Sequence, residues 1–140
     1  MSDDVAYATL DPDTVEDRFR SLRRALGVES FGINHIVLAP RQQMRVHRHE
    51  HQEEVYLVLS GTLTLVFEDG EQALGAGELA RVGPATRRQL VNRGPERLSL
   101  LALGGAGEHV ARDGVAYDSW DSTEGKEPRD VPLPPDLTDD

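Results

Sequence analysis

Apolar and polar positions change their period once along the chain. Between Asp13 and Leu26, the residues Val15, Phe19, Leu22 and Leu26 recur at helical spacing, and Arg18, Arg20, Arg23 and Arg24 fall mostly off that line. Asp13 as an N-cap, Glu16 three residues later and Gly27 as a C-terminal stop predict a short amphipathic helix with a solvated basic face. From Phe31 the pattern becomes that of strands. Ser30–Ala39, 44–51, 54–59, Thr62–Phe67, Gln72–Leu74, Leu79–Val82, Gln89–Val91 and Leu98–Leu103 are short β-favouring runs separated by Gly, Pro, Asn and Asp. Asp69-Gly70 between two such runs is a strong hairpin signal.

Many short strands with such turns predict an all-β sandwich or barrel. Val55–Leu59 and Leu98–Leu103 are apolar on both faces, so each needs cover on both sides. One side is the barrel interior. The other could be the N-terminal helix, the flank of a second sheet or another subunit, and a homodimer is expected because two-fold dimers are the commonest oligomer. Beyond Gly107 the signal weakens. Val115–Trp120 is expected to dock on the domain, with Tyr117 and Trp120 as anchors. Residues 121–140 hold four prolines and many acids and are expected to be disordered or loosely draped over the domain. The chain thus divides into a lead-in with helix (1–30), a β-barrel (31–120) and an acidic tail (121–140).

With 140 residues the chain makes one domain, and with no Cys it has neither disulfides nor thiolate chemistry. The net charge of −10 argues against nucleic acid. Much of that charge lies in the tail, where residues 118–140 carry eight acids against two bases. No apolar run approaches the roughly 18 residues needed to cross a membrane, and the first residues lack the features of a signal peptide. A cytoplasmic protein without nucleic-acid or membrane partners is expected.

The candidate chemistry lies in Val46–Gly61. His47, His49 and His51 alternate, and alternate residues of a strand share a face. Glu54 opens the next strand and would bring a carboxylate to the same point. Two His and one carboxylate form the facial triad typical of non-haem Fe(II), and the same donors suit Zn or Mn. His51 reads as a solvated residue, and His35, alone on its strand, as a packed or surface residue. Tyr56 shares the face of Glu54 and would line the cavity or pack in the core.

These residues resemble the cupin superfamily. Its first motif is Gly, five residues, His-x-His, three or four residues, Glu, six residues, Gly. His47, His49, Glu54 and Gly61 fit it, while Arg41 stands in the opening Gly slot. Of the second motif, Gly77 and Asn92 are in place, but Gly83 and Ala85 replace its Pro and Gly, and Arg88 occupies the His slot. The resemblance covers roughly residues 31–104 and implies a cupin jelly-roll barrel. It also implies a divalent metal (Fe, Mn, Zn or Ni) held by His47, His49, Glu54 and a fourth ligand, with a small molecule bound in the barrel. Family members include dioxygenases, isomerases, epimerases, sugar-binding domains and storage proteins, so the fold does not name a reaction.

Arg88 changes this picture. A guanidinium has no lone pair to donate and does not deprotonate in proteins. At an effective dielectric of about 20, its charge ~4 Å from a divalent ion costs on the order of 8 kcal/mol before screening. Three arrangements stay open. Arg88 points outward, leaving a weak three-ligand metal and a clamp for an anionic substrate. Or it points inward and pairs with Glu54 in place of metal. Or the register slips by one residue, and Gln89 faces inward as a neutral oxygen ligand. The expected function is small-molecule binding through an incomplete metal site, with a metal-free structural dimer and a metal-dependent oxygenase or isomerase as alternatives.

Overall fold

In the computed structural model, which describes residues 4–107 and 112–138, ten strands form two walls around one apolar interior. They are β1 (Phe19–Ser21), β2 (Gly32–Leu38), β3 (Val46–His49), β4 (Glu53–Ser60), β5 (Leu63–Phe67), β6 (Gly70–Leu74), β7 (Leu79–Val82), β8 (Gln89–Val91), β9 (Leu98–Gly105) and β10 (Gly114–Tyr117). The first wall is an antiparallel sheet in the order β1-β2-β9-β4-β7. The second consists of β10-β3 and β6-β5-β8, joined where Gln43 bridges to Val91 and His47 to Arg88. Ile36, Tyr56, Val58, Leu65, Leu90 and Leu100 are among the residues that fill the space between the walls.

The alternation of β4 decides which of its side chains reach the interior. Glu54, Tyr56 and Val58 are buried on the inner face, and Val55 and Leu57 lie half-buried on the outer one. The turn after β4 needs glycine: Gly61 has φ +81°, and a Cβ there would lie 2.5 Å from the carbonyl oxygen of Arg97. Arg41, in the opening glycine slot, keeps the backbone conformation that a glycine would adopt, with φ +73°. Asn92 is fully buried and ties the second motif together. Its Nδ2 donates to the carbonyls of Leu38 and Glu96, and its Oδ1 accepts from Gly94 N.

One expectation is corrected. The N-terminal helix is only Leu22–Leu26 (α1), capped by the Ser21 side chain and ended by Gly27 at φ +74°. Asp17 and Arg18 both have positive φ, which breaks any helix from Asp13, and Phe19–Ser21 pairs with β2 instead. Of the two courses open to the tail, its described length takes the draped one, along the barrel. Proline-rich backbone leaves carbonyls without local partners, and donors of the barrel take them up. Arg45 Nε donates to Val131 O at 2.5 Å and Gln43 Nε2 to Pro135 O at 3.0 Å, while Leu137 N donates to Arg41 O at 2.8 Å. Val131, at the start of this strap, is buried. Among the described residues, no helix is long and apolar enough to cross a membrane.

Candidate functional site

His47 and His49 stand on β3 with one residue between them, so both rings project to the barrel interior, where they meet edge to face with centroids 5.4 Å apart. Glu54 comes from the inner face of β4. Its Oε1 lies 3.3 Å from His47 Nε2 and 3.2 Å from His49 Nε2. Among the described residues these three are the group of acids and histidines close enough to hold a metal ion, with donor atoms within 4.8 Å of one another.

The far side of each ring also faces an acceptor. His47 Nδ1 is 3.2 Å from the carbonyl oxygen of Arg45, and His49 Nδ1 is 3.4 Å from Asp113 Oδ2. The His49 nitrogen is buried and makes no formed hydrogen bond. A neutral imidazole carries one proton. If that proton faces the outer acceptor, Nε2 turns a bare lone pair towards the Glu54 oxygen. In that tautomer each Nε2 can ligate a cation, and in the other it donates its proton to Glu54 directly. A carboxylate or backbone carbonyl behind a histidine is also the usual partner of a metal-bound imidazole. The donor set thus fits a divalent ion.

Asp113 holds this arrangement from outside the two motifs. It accepts from the backbone N–H groups of His51 and Gln52 and from His51 Nδ1 at 2.8 Å. Burial alone would raise its pKa, but these hydrogen bonds and the charge of His49 hold it below the ordinary value. His51 is otherwise largely exposed, turns its Nδ1 to Asp113 and stands outside the group with Glu54. Sequence reasoning missed Asp113, a lone acid on a segment with weak strand pattern.

Arg88 points inward. Its side chain is fully buried, and each guanidinium nitrogen is engaged. Nη2 donates to Glu54 Oε1 at 2.7 Å, Nε to Tyr56 Oη at 3.2 Å, and Nη1 to the carbonyls of Gly83, Pro84 and Thr86. Burial would lower its pKa, but Tyr56 and Glu54 more than compensate, so it stays charged. The reading of Arg88 as an outward clamp for a substrate anion is therefore corrected: backbone and Glu54 already occupy it.

Tyr56 donates to the same Glu54 oxygen at 2.5 Å and packs in the core, so it supports Glu54 rather than lining an open cavity. Burial, then the charge of Glu54, push its pKa well above the ordinary value. For Glu54, burial acts upward, but hydrogen bonds and charge from His47 and His49 hold it well below the carboxylate range.

The register reading that turned Gln89 inward is also corrected. Gln89 Nε2 donates to Met44 O, its Oε1 accepts from Trp120 Nε1, and it lines a cleft of about 340 Å³ under the C-terminal strap, with Tyr117 and Trp120. His35, fully buried, is a packed core residue whose Nε2 meets Ser99 Oγ at 2.7 Å.

The Cupin domain model matches residues 34–104. The chain belongs to the cupin family. No curated protein sequence matches it. Among solved structures, this cupin is similar to a sugar phosphate isomerase of the cupin superfamily from Silicibacter pomeroyi, at 25% identity and a TM-score of 0.66, over 91% of this chain and 97% of that one. It is similar to a Cupin 2 conserved barrel domain protein from Salinispora arenicola at 24% identity and 0.62, over 71% and 87%. A cupin protein from Bacteroides fragilis matches at 18% identity and 0.63, over 74% and 85%. The all-β jelly roll expected from the motifs is thus the fold of this cupin. Asp113 and β10 lie beyond the matched segment.

Proposed function

We propose that this cupin binds a small oxygen-rich molecule through a loosely held divalent ion on His47, His49 and Glu54. The observation that carries the reading is the convergence of His47, His49 and Glu54, whose donor atoms lie within 4.8 Å of one another, with an acceptor behind each imidazole. When bound, such an ion supplies Lewis-acid polarisation of a ligand oxygen. The chain's own residues do the rest. Arg45 O and Asp113 orient the rings, and Tyr56 and Arg88 fix the carboxylate. Three protein donors leave positions for the ligand.

Likeness over nearly the whole length to a sugar phosphate isomerase supports a sugar phosphate as the first class to test. Metal-free protein is titrated with Co2+, whose visible absorption reports on ligand geometry, and then with a hexose phosphate, the parent hexose and inorganic phosphate. The reading expects one equivalent of Co2+ and a spectral change with the sugar phosphate. A flat titration contradicts it.

A second reading is favoured by the 2.7 Å contact between Arg88 and Glu54. Here that ion pair stands in for the metal, and the barrel is structural or binds ligand without an ion. Co2+ absorption that never departs from that of the aqueous ion supports this alternative.

A further inference from the structure

Both imidazoles of the site rest on groups that the C-terminal segment also holds. Arg45 works in two directions. Its carbonyl oxygen faces His47 Nδ1 at 3.2 Å, and its Nε donates to Val131 O at 2.5 Å. On the other flank, Lys126 and Ala116 exchange both backbone hydrogen bonds at 2.8 Å, so the segment pairs with β10. Ala116 is in turn the partner of His47, which puts Lys126, Ala116 and His47 in one row across the second wall. Gly114 is the partner of His49. A Cβ on Gly114 would lie 3.3 Å from Pro128 Cγ and 3.7 Å from His49 Cε1, so Pro128 and the His49 ring flank the same glycine.

The segment itself is lightly held. Its prolines at 128, 132, 134 and 135 have no N–H to give to the barrel. From residue 124 to residue 138 only Val131 is buried, and a cleft of about 340 Å³ lies between the strap and Val46, Gln89 and Tyr117. Segments with few buried contacts open at lower free energy than the core.

We propose that residues 126–137 form a detachable latch that sets the two imidazoles. Docked, it fixes Arg45 and β10 behind them; released, it frees both rings. Arg45 is then a positioning residue that acts through His47. As a control on ring position the inference stands by itself, and as a control on metal affinity it rests on the function proposed above.

Full-length Val131→Asp, which puts a charge at the buried anchor of the latch, tests this beside Arg45→Met and Arg45→Lys. Imidazole nitrogen NMR shifts are recorded on metal-free protein, about 1.5 pH units above the ordinary histidine pKa so that the rings are neutral. His47 should show one tautomer in the wild type and averaged shifts in Val131→Asp and Arg45→Met, while Arg45→Lys, which keeps a donor, stays near the wild type. Affinity for Co2+ should fall at least about tenfold in the same two variants. In the wild type, the amides of Lys126 and Leu137 should exchange hydrogen at least about tenfold faster than those of β9. Unchanged His47 shifts and Co2+ affinity in both variants, or latch amides that exchange only with the core, overturn the inference. So does loss of the barrel fold in Val131→Asp, because a latch that detaches is not needed for folding. A wild type that takes up no Co2+ overturns the proposed function alone, and the ring shifts then decide this one.

Discussion

His47 and Arg88 face each other across an antiparallel bridge, each backbone N–H donating to the other's carbonyl at 2.9 Å. Residues paired in this way point to the same side of the sheet. The bridge therefore commits Arg88 to the interior beside the imidazole, in the position where the family motif places its fourth ligand. The carboxylate that would complete a three-ligand site is the one Arg88 holds. On the proposed reading, metal affinity and barrel stability are thereby coupled through Glu54.

Arg88→Met tests that coupling. Removing the guanidinium leaves Glu54 buried without its cation and three carbonyls without their donor. Breaking one side of a buried pair costs about 3–5 kcal/mol. Urea unfolding in chelator should show a loss of that order, and adding a divalent ion should recover part of it, because the ion replaces the missing positive charge. A loss that no metal reduces would mean that the three donors do not act together.

Asp113→Asn tests the support behind His49. An amide keeps the size of the side chain but lowers its charge beside Nδ1 and weakens its hold on the His51–Gln52 backbone. Substituting such partners typically lowers metal affinity by about 10–100-fold. Competition against a chromophoric chelator measures this directly, and unchanged affinity would make Asp113 a loop anchor only.

His35 gives the pH dependence of the fold a specific source. Burial first, then the charges of Arg20 and Arg97, lower its pKa below the ordinary 6.5. The unfolded chain therefore takes up a proton at higher pH than the folded one. The contribution of His35 is complete above about pH 6.5 and is lost as pH falls below it, at up to about 1.4 kcal/mol per pH unit. Denaturant unfolding of the wild type and of His35→Gln between about pH 7.5 and about pH 5 should give a shallower slope in the variant. Equal slopes would remove His35 as the source.

Much of the barrel was legible from pattern. Leu79–Val82 and Gln89–Val91 are strands with the bounds that the turn residues around them mark, and Glu68-Asp69 turns at Gly70. The meeting of His47, His49 and Glu54 followed from strand period and motif spacing. The rest depends on long-range or exceptional backbone geometry. Phe19 fits a helical stripe, yet positive φ at Asp17 and Arg18, which no propensity signals, sends it into a strand. The inward course of Arg88 is set by pairing with His47, forty-one positions away in sequence. Asp113 and β10 reach the site only because β10 pairs with β3.

The most direct measurement is the affinity of the metal-free protein for one divalent ion, by chelator competition, across wild type, His49→Ala and Arg88→His. The account predicts one weak site in the wild type, its loss in His49→Ala, and tightening by at least about 100-fold in Arg88→His, where a repelling charge becomes a donor. Equal affinity in all three, or no binding by Arg88→His, would contradict it.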